Sequence, residues 1–126
     1  MAINVAPVGL ARDLVEREKT GKPIRIGLIG SGEMGTDIVT RVAHMPGIEI
    51  GAISELNLPN ATRAVDIAFQ EKGHAREVSK ASDVTKAIEA GKIAVTNDAS
   101  FVYGNDLIDV VIDATVPIVL PAFVIV

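Results

Sequence analysis

The residues with the clearest chemical use are three glycines and an acid. Gly30, Gly32 and Gly35 stand in Gly30-Ser31-Gly32-Glu33-Met34-Gly35, and Glu55 follows twenty residues later. This is the spacing of a loop that cradles a dinucleotide pyrophosphate. Gly30 permits a tight turn off a strand. Gly32 lacks a Cβ, so a pyrophosphate can approach the backbone. Gly35 lets the next helix pack closely on that strand. The helix then aims its free N–H groups and the positive end of its dipole at the phosphates. Ser31, Glu33 and Met34 complete the loop. Glu55, with Ser54 before it, falls where a carboxylate can hydrogen-bond an adenosine ribose. A glycine-rich turn that only packs a helix on a strand would explain Gly35, but it gives no reason for Gly32.

These residues need a strand before them, a helix after them and a second strand. Ile24, Ile26, Leu28 and Ile29 predict a short strand buried on both faces. Met34, Ile38, Val42 and Met45 recur as one apolar helical stripe, which Pro46-Gly47 stops. Ile48, Ile50 and Ile53 predict the second strand. The β-α-β unit has the expected length of about thirty residues.

An N-terminal helix over residues 8–19 precedes the unit. It has a narrow apolar edge of Leu10, Leu14 and Val15, with Gly21 as C-cap. Its charge run reads as a solvated face, and the helix as an arm packed on the domain or on a neighbouring subunit of a homo-oligomer. After the second strand, Asn57 is expected to cap a helix through Lys72 that buries Leu58, Ala61, Val65 and Ala68, with Gly73 ending it. Residues 74–81 read as loop. Ser82 is expected to cap a short helix with Val84, Ala87 and Ile88, closed by Gly91. Ile93, Ala94 and Val95 predict a third strand, Asp98 to Tyr103 one or two helical turns, and Ile108 to Ile112 a fourth strand.

Strands alternating with helices mean an α/β fold, a Rossmann-type parallel sheet with flanking helices. Right-handed crossovers, with a reversal after the first strand, predict the order 3-2-1-4. The ligand crevice then lies at the carboxyl ends of the first and fourth strands. That brings Ala114 and Thr115 beside the glycine loop, within reach of a cofactor's ribose or nicotinamide. Alternatively, the Thr115 hydroxyl bonds only its own backbone.

Composition narrows the function classes. The chain has 126 residues, 48% of them apolar, which suits a packed core rather than disorder. A net charge of −4 without a basic patch or aromatic platform argues against nucleic acid. With no cysteine, thiolate metal sites and disulfides are excluded. His44 and His74 lie far apart and read as solvated, so no metal site is expected. The start lacks a signal-peptide pattern, and the apolar run from Val116 to Val126 is too short to span a membrane. A cytoplasmic location is the default expectation.

The segments "KPIRIGLIGSGEMGTDIV" (22–39), "MPGIEIGAISELN" (45–57) and "IDVVIDAT" (108–115) resemble the start of homoserine-dehydrogenase-like oxidoreductases that carry a C-terminal SAF domain. The chain is most similar to the reductoisomerase-like branch, akin to 1-deoxy-D-xylulose 5-phosphate reductoisomerase. The resemblance covers about residues 8–115. It implies a domain that binds NAD(P)H, with substrate and catalytic groups brought by a later domain. By position it makes residues 30–35 the cofactor loop, Ser54 and Glu55 the adenosine end, and Ala114 and Thr115 the loop after the fourth strand. The family commonly continues Ala-Thr-Gly-Val-Pro here, whereas Thr115 runs straight into Val116-Pro117.

The expected organisation is an N-terminal helical arm (1–22), a dinucleotide-binding domain (23–115) and an atypical apolar tail (116–126). Only eleven residues follow Thr115, too few for a crossover to a parallel strand, and Pro117 and Pro121 break any helix. The expectation is a truncated or frame-shifted product, inactive alone, whose Ile118, Val119, Leu120, Phe123 and Ile125 lack a burial site. The alternative is a native tail that adds a strand or pairs with a second subunit.

No catalytic constellation is legible, so two functions stand. One is the cofactor half of an NAD(P)-dependent oxidoreductase, its small-molecule substrate bound elsewhere in the parent. The other is a non-catalytic nucleotide-binding or sensor module. A methyltransferase would usually place an acid just before the glycines, where Leu28 and Ile29 stand. A flavin shares the adenosine fingerprint. Glu55 favours NAD, since it would repel a 2′-phosphate. Arg63 could turn towards such a phosphate or remain solvated surface, and the family resemblance suggests NADPH.

Overall fold

This computed structural model describes residues 9–30, 32–115 and 123–125, with backbone alone at 10, 11, 33, 34 and 123–125. The elements run α1 (Leu10–Lys19), β1 (Ile24–Ile29), α2 (Glu33–Val42), β2 (Ile48–Ser54), α3 (Leu58–Phe69), β3 (Ala75–Glu77), α4 (Ala81–Glu89), β4 (Ile93–Thr96), α5 (Ser100–Tyr103), β5 (Val110–Asp113) and β6 (Phe123–Ile125). The sheet order is β3-β4-β2-β1-β5-β6. The first five strands in sequence pair in parallel, and β6 joins β5 antiparallel. This is an α/β Rossmann-like fold. The expected order of the four central strands is observed, with one strand added at each edge.

Chain direction dictates which face each helix covers. From β1 through β2 to β3 the chain moves towards one edge, so right-handed crossovers put α2 and α3 on one face. It then turns back through β4 to β5, which puts α4 and α5 on the other. Two cores result. Leu28, Ile50, Ile53 and Val95 pack with Val39 of α2 and Val65 of α3. Ile29, Ala52 and Val111 pack with Val84 and Ile88 of α4 and Val102 of α5.

A register shift in β2 sorts its residues between these cores. Ile26 faces Ile50, but Gly27 faces Ala52, so Gly51 is an inserted residue. The insertion lets both Ile50 and Ile53 face α2 and α3, despite their odd separation. Gly51 and Ala52 consecutively face the other core, and a Cβ on Gly51 would lie 2.8 Å from Ile108 Cδ1. Gly27 is tighter still, at 2.3 Å from Val102 Cγ1. The short helix α5 can therefore lie against the sheet because the central strands lack side chains there.

Helix ends correct several expectations. After α1, the amides of Gly21 and Lys22 donate to the carbonyls of Glu18 and Arg17, closing the helix with Gly21 at φ +73°. Gly91 closes α4 in the same manner. But α3 ends at Phe69 rather than Lys72, because Gln70 itself takes the left-handed conformation at φ 53°. Asn57 occupies the N-cap position of α3 without a side-chain capping bond, and Ser82 lies inside α4, whose N-cap is Lys80. The α2 stripe also shifts. The helix stops at Val42, so Val39 and Val42 are buried and Met45, beyond the end, is exposed.

Strands also form in the expected loop over 74–81 and in the apolar tail. Ala75–Glu77 pairs with β4 as a short edge strand bearing Arg76 and Glu77, too short and polar to show alternation. In the apolar tail, Phe123–Ile125 pairs with β5. An antiparallel partner needs no long crossover, which removes the geometric objection to a strand here. Phe123 and Ile125 thus belong to a strand, which is the alternative of a tail that adds one to the sheet. Val116, Pro117, Ile118, Val119, Leu120 and Pro121 lie outside the described residues.

Candidate functional site

The carboxyl ends of β1, β2, β4 and β5 are tied together by backbone bonds. Gly30 N–H donates to Ser54 C=O at 2.7 Å, and Glu55 N–H to Thr96 C=O at 2.8 Å. Ala114 N–H donates to Ile29 C=O at 2.8 Å. Around this edge stand the glycine turn, Ser54, Glu55, Ala114 and Thr115, so the described candidates share one end of the sheet. It is also the point where the chain's direction reverses around β1, and such switch points form crevices in α/β sheets.

Each glycine meets a different condition. Gly30 turns the chain at φ +88°, and a Cβ on it would lie 3.0 Å from Thr115 Cγ2 and 3.3 Å from the Ala114 carbonyl carbon. The glycine turn and the loop after β5 are thus in direct contact. At Gly35 a Cβ would sit 2.5 Å from Gly30 C=O, so α2 packs onto the end of β1 only without one. Gly32, the N-cap of α2, has φ −63°, and no atom of the described residues lies within 4 Å of where its Cβ would be. Of the chain's 11 glycines, Gly32 alone has neither a positive φ nor, among the described residues, a neighbour in its Cβ position. Ser31 lies outside the described residues, and Glu33 and Met34 are placed only as the opening of α2.

Beyond β2, the Glu55 carboxylate accepts the Asn57 N–H at 3.2 Å. That bond holds it at the strand end, and a carboxylate accepts more than one hydrogen bond. Ser54 is buried beneath it, while neighbouring Leu56 is 90% exposed. Arg63 is exposed on α3 and donates to Asn60 Oδ1.

Thr115 corrects its alternative reading, because its hydroxyl does not bond its own backbone. It donates to Asp113 Oδ1 at 2.5 Å, and its N–H donates to the same oxygen at 2.9 Å. Asp98 does the same at the end of β4, where Oδ1 accepts Ser100 N–H at 2.9 Å and Ser100 Oγ–H at 2.6 Å. Behind it, buried Thr96 Oγ1 accepts Asp98 N–H at 3.1 Å. Asp98 and Asp113 shape the strand ends beside the site, and neither is among the residues expected there. Their signal is the repeated Asp-Ala-Ser and Asp-Ala-Thr after a strand.

His74 is not simply solvated. Its ring stacks on Phe69 with centroids 4.3 Å apart, and Nε2 lies 3.0 Å from Glu71 Oε2. His44 is exposed, as expected. Among the described residues no cluster could hold a metal ion, and no helix is long and apolar enough to cross a membrane.

No protein-family model matches the chain, and no curated protein matches it. Among solved structures it is similar to a myo-inositol dehydrogenase from Corynebacterium glutamicum ATCC 13032, with 23% identity and a TM-score of 0.32. That match covers 65% of this chain and 31% of the dehydrogenase, so the chain spans about a third of the matched protein's length.

Proposed function

We propose that this chain binds the dinucleotide NAD or NADP as the cofactor-binding part of an oxidoreductase resembling the homoserine-dehydrogenase-like, reductoisomerase-like enzymes. One observation carries the proposal. Gly32 stands at the N-terminus of a ten-residue helix, at the switch point, where the fold itself gives no reason for a missing side chain. A pyrophosphate provides that reason, since the first N–H groups of a helix have no partner within it.

The roles follow from placement. Gly30, Ser31, Gly32, Glu33, Met34 and Gly35 form the phosphate loop. Glu55 accepts the adenosine ribose hydroxyls, and exposed Leu56 gives the adenine an apolar neighbour. Ala114 and Thr115, held by Asp113, position the nicotinamide ribose. A bound nicotinamide supplies the hydride, while the chain's own residues bind and orient it. The carboxylate at Glu55 favours NAD, and the family resemblance favours NADP. In the parent protein a small-molecule substrate would meet the nicotinamide at the carboxyl edge. A cytoplasmic setting and a homo-oligomer remain part of this proposal, although α1 packs on its own domain, with Leu14 buried and its carbonyl against Gly47.

Isothermal calorimetry with NADH and NADPH on the folded chain tests the binding. Saturable binding of either supports it, and binding of neither overturns it. A non-catalytic sensor module is distinguished by a turnover assay with carbonyl substrates on the full parent protein. Binding without turnover would favour the sensor.

A further inference from the structure

The amino end of the sheet carries a separate cavity, of about 210 Å³. It arises from unequal strands. β2 starts at Ile48, but its first partner on β4 is Ala52 opposite Ala94, so Ile48 to Gly51 border a gap. Val42, Ile48, Ile50, Ile93 and the Phe69 ring are apolar walls, and Glu49, His74 and Lys92 are the ionisable lining groups.

The charges around it are unequally matched. Glu49 Oε1 is held by Arg25 Nε at 2.7 Å, and Glu71 by His74. Lys92 Nζ donates only to a neutral group, Gly73 C=O, at 2.7 Å. Among the described residues no carboxylate pairs with Lys92. One cation therefore lies at the margin of an apolar cavity whose lining carboxylate, Glu49, is already paired with Arg25. The volume is below the ~300–1,000 Å³ of sites for drug-sized ligands, so the occupant must be small.

We propose that this cavity is a second ligand site, for a small monocarboxylate with an apolar body. The body lies against Val42, Ile48, Ile50 and Phe69, and the carboxylate pairs with Lys92. Charge-assisted bonds of this kind are stronger than neutral ones. The site lies at the end of the sheet opposite the glycine loop, and the inference does not depend on dinucleotide binding there.

The test is a titration of the ¹⁵N-labelled chain with 3-phenylpropionate, following backbone amide shifts. The expected result is saturable shifts at residues 48–51, 74 and 92–93, with a dissociation constant at or below about 1 mM. Lys92→Gln, and the uncharged 3-phenylpropionamide, should each weaken binding about tenfold or more. Ala43→Leu, which adds bulk to the lining without changing charge, should also remove it. Gly32→Val should leave these shifts unchanged. Absence of saturable shifts in the folded chain would overturn the proposal, as would equal binding by the amide or by Lys92→Gln.

Discussion

Two sets of glycines serve this molecule differently. In the central strands, Gly27 and Gly51 are filled from outside, because Val102, Ile108 and Ile88 occupy the space that their side chains would need. After β1, Gly35 in the first turn of α2 is equally crowded by the Gly30 carbonyl, and Gly30 turns at positive φ. Gly32 has open space among the described residues and no positive φ. A glycine that the fold requires is explained by its neighbours. One that the fold does not require points to something outside the chain, and position 32 is where a phosphate-binding loop has that need.

Substitutions can break or sharpen this contrast. Gly27→Val puts a side chain into Val102 and should destabilise the fold by about 3 kcal/mol, read from urea denaturation midpoints. Gly35→Ala, aimed at a backbone oxygen that cannot rotate away, should cost roughly 2 kcal/mol by the same measurement. A loss under about 0.5 kcal/mol in either would mean that these glycines are not sterically fixed.

Glu55→Ala should weaken NAD binding roughly tenfold, about 1.4 kcal/mol, and improve NADP binding by removing like-charge repulsion. Calorimetry with both cofactors reads it, and an unchanged preference would place Glu55 away from the ribose. Smallest is Gln70→Gly. The left-handed backbone at the end of α3 favours glycine, so thermal unfolding should show a gain of up to about 1 kcal/mol. Unlike Gly32→Val, this change should leave dinucleotide affinity alone.

What the sequence disclosed follows the range of the interactions. The glycine turn and the buried Ala61, Val65 and Ala68 of α3 are local patterns read from spacing, and the strand order follows from the handedness of the crossovers. Even the irregularity of β2 is written in the spacing of Ile48, Ile50 and Ile53, which breaks a two-residue alternation by one. The partners of Gly27 and Gly51 come from Val102 and Ile108, far along the chain, so no local pattern marks them. Gln70 carries no sign of its positive φ, because glycine is the usual residue there and Gly73 stands close by as a decoy. β3 is too short to alternate. The strand at 123–125 is antiparallel to β5, and the sequence offers it only as the alternative of a tail that adds a strand. At the site, Asp98 and Asp113 were hidden because their bonds shape the strand ends rather than match a cofactor motif.

The most direct measurement compares Gly32→Val with the unmodified chain, on one folded sample of each, by calorimetry with NADH and NADPH and by thermal unfolding. The variant should keep its stability within about 1 kcal/mol, the scale of an N-cap change, while cofactor binding disappears. A folded variant that binds either dinucleotide with unchanged affinity would contradict that expectation.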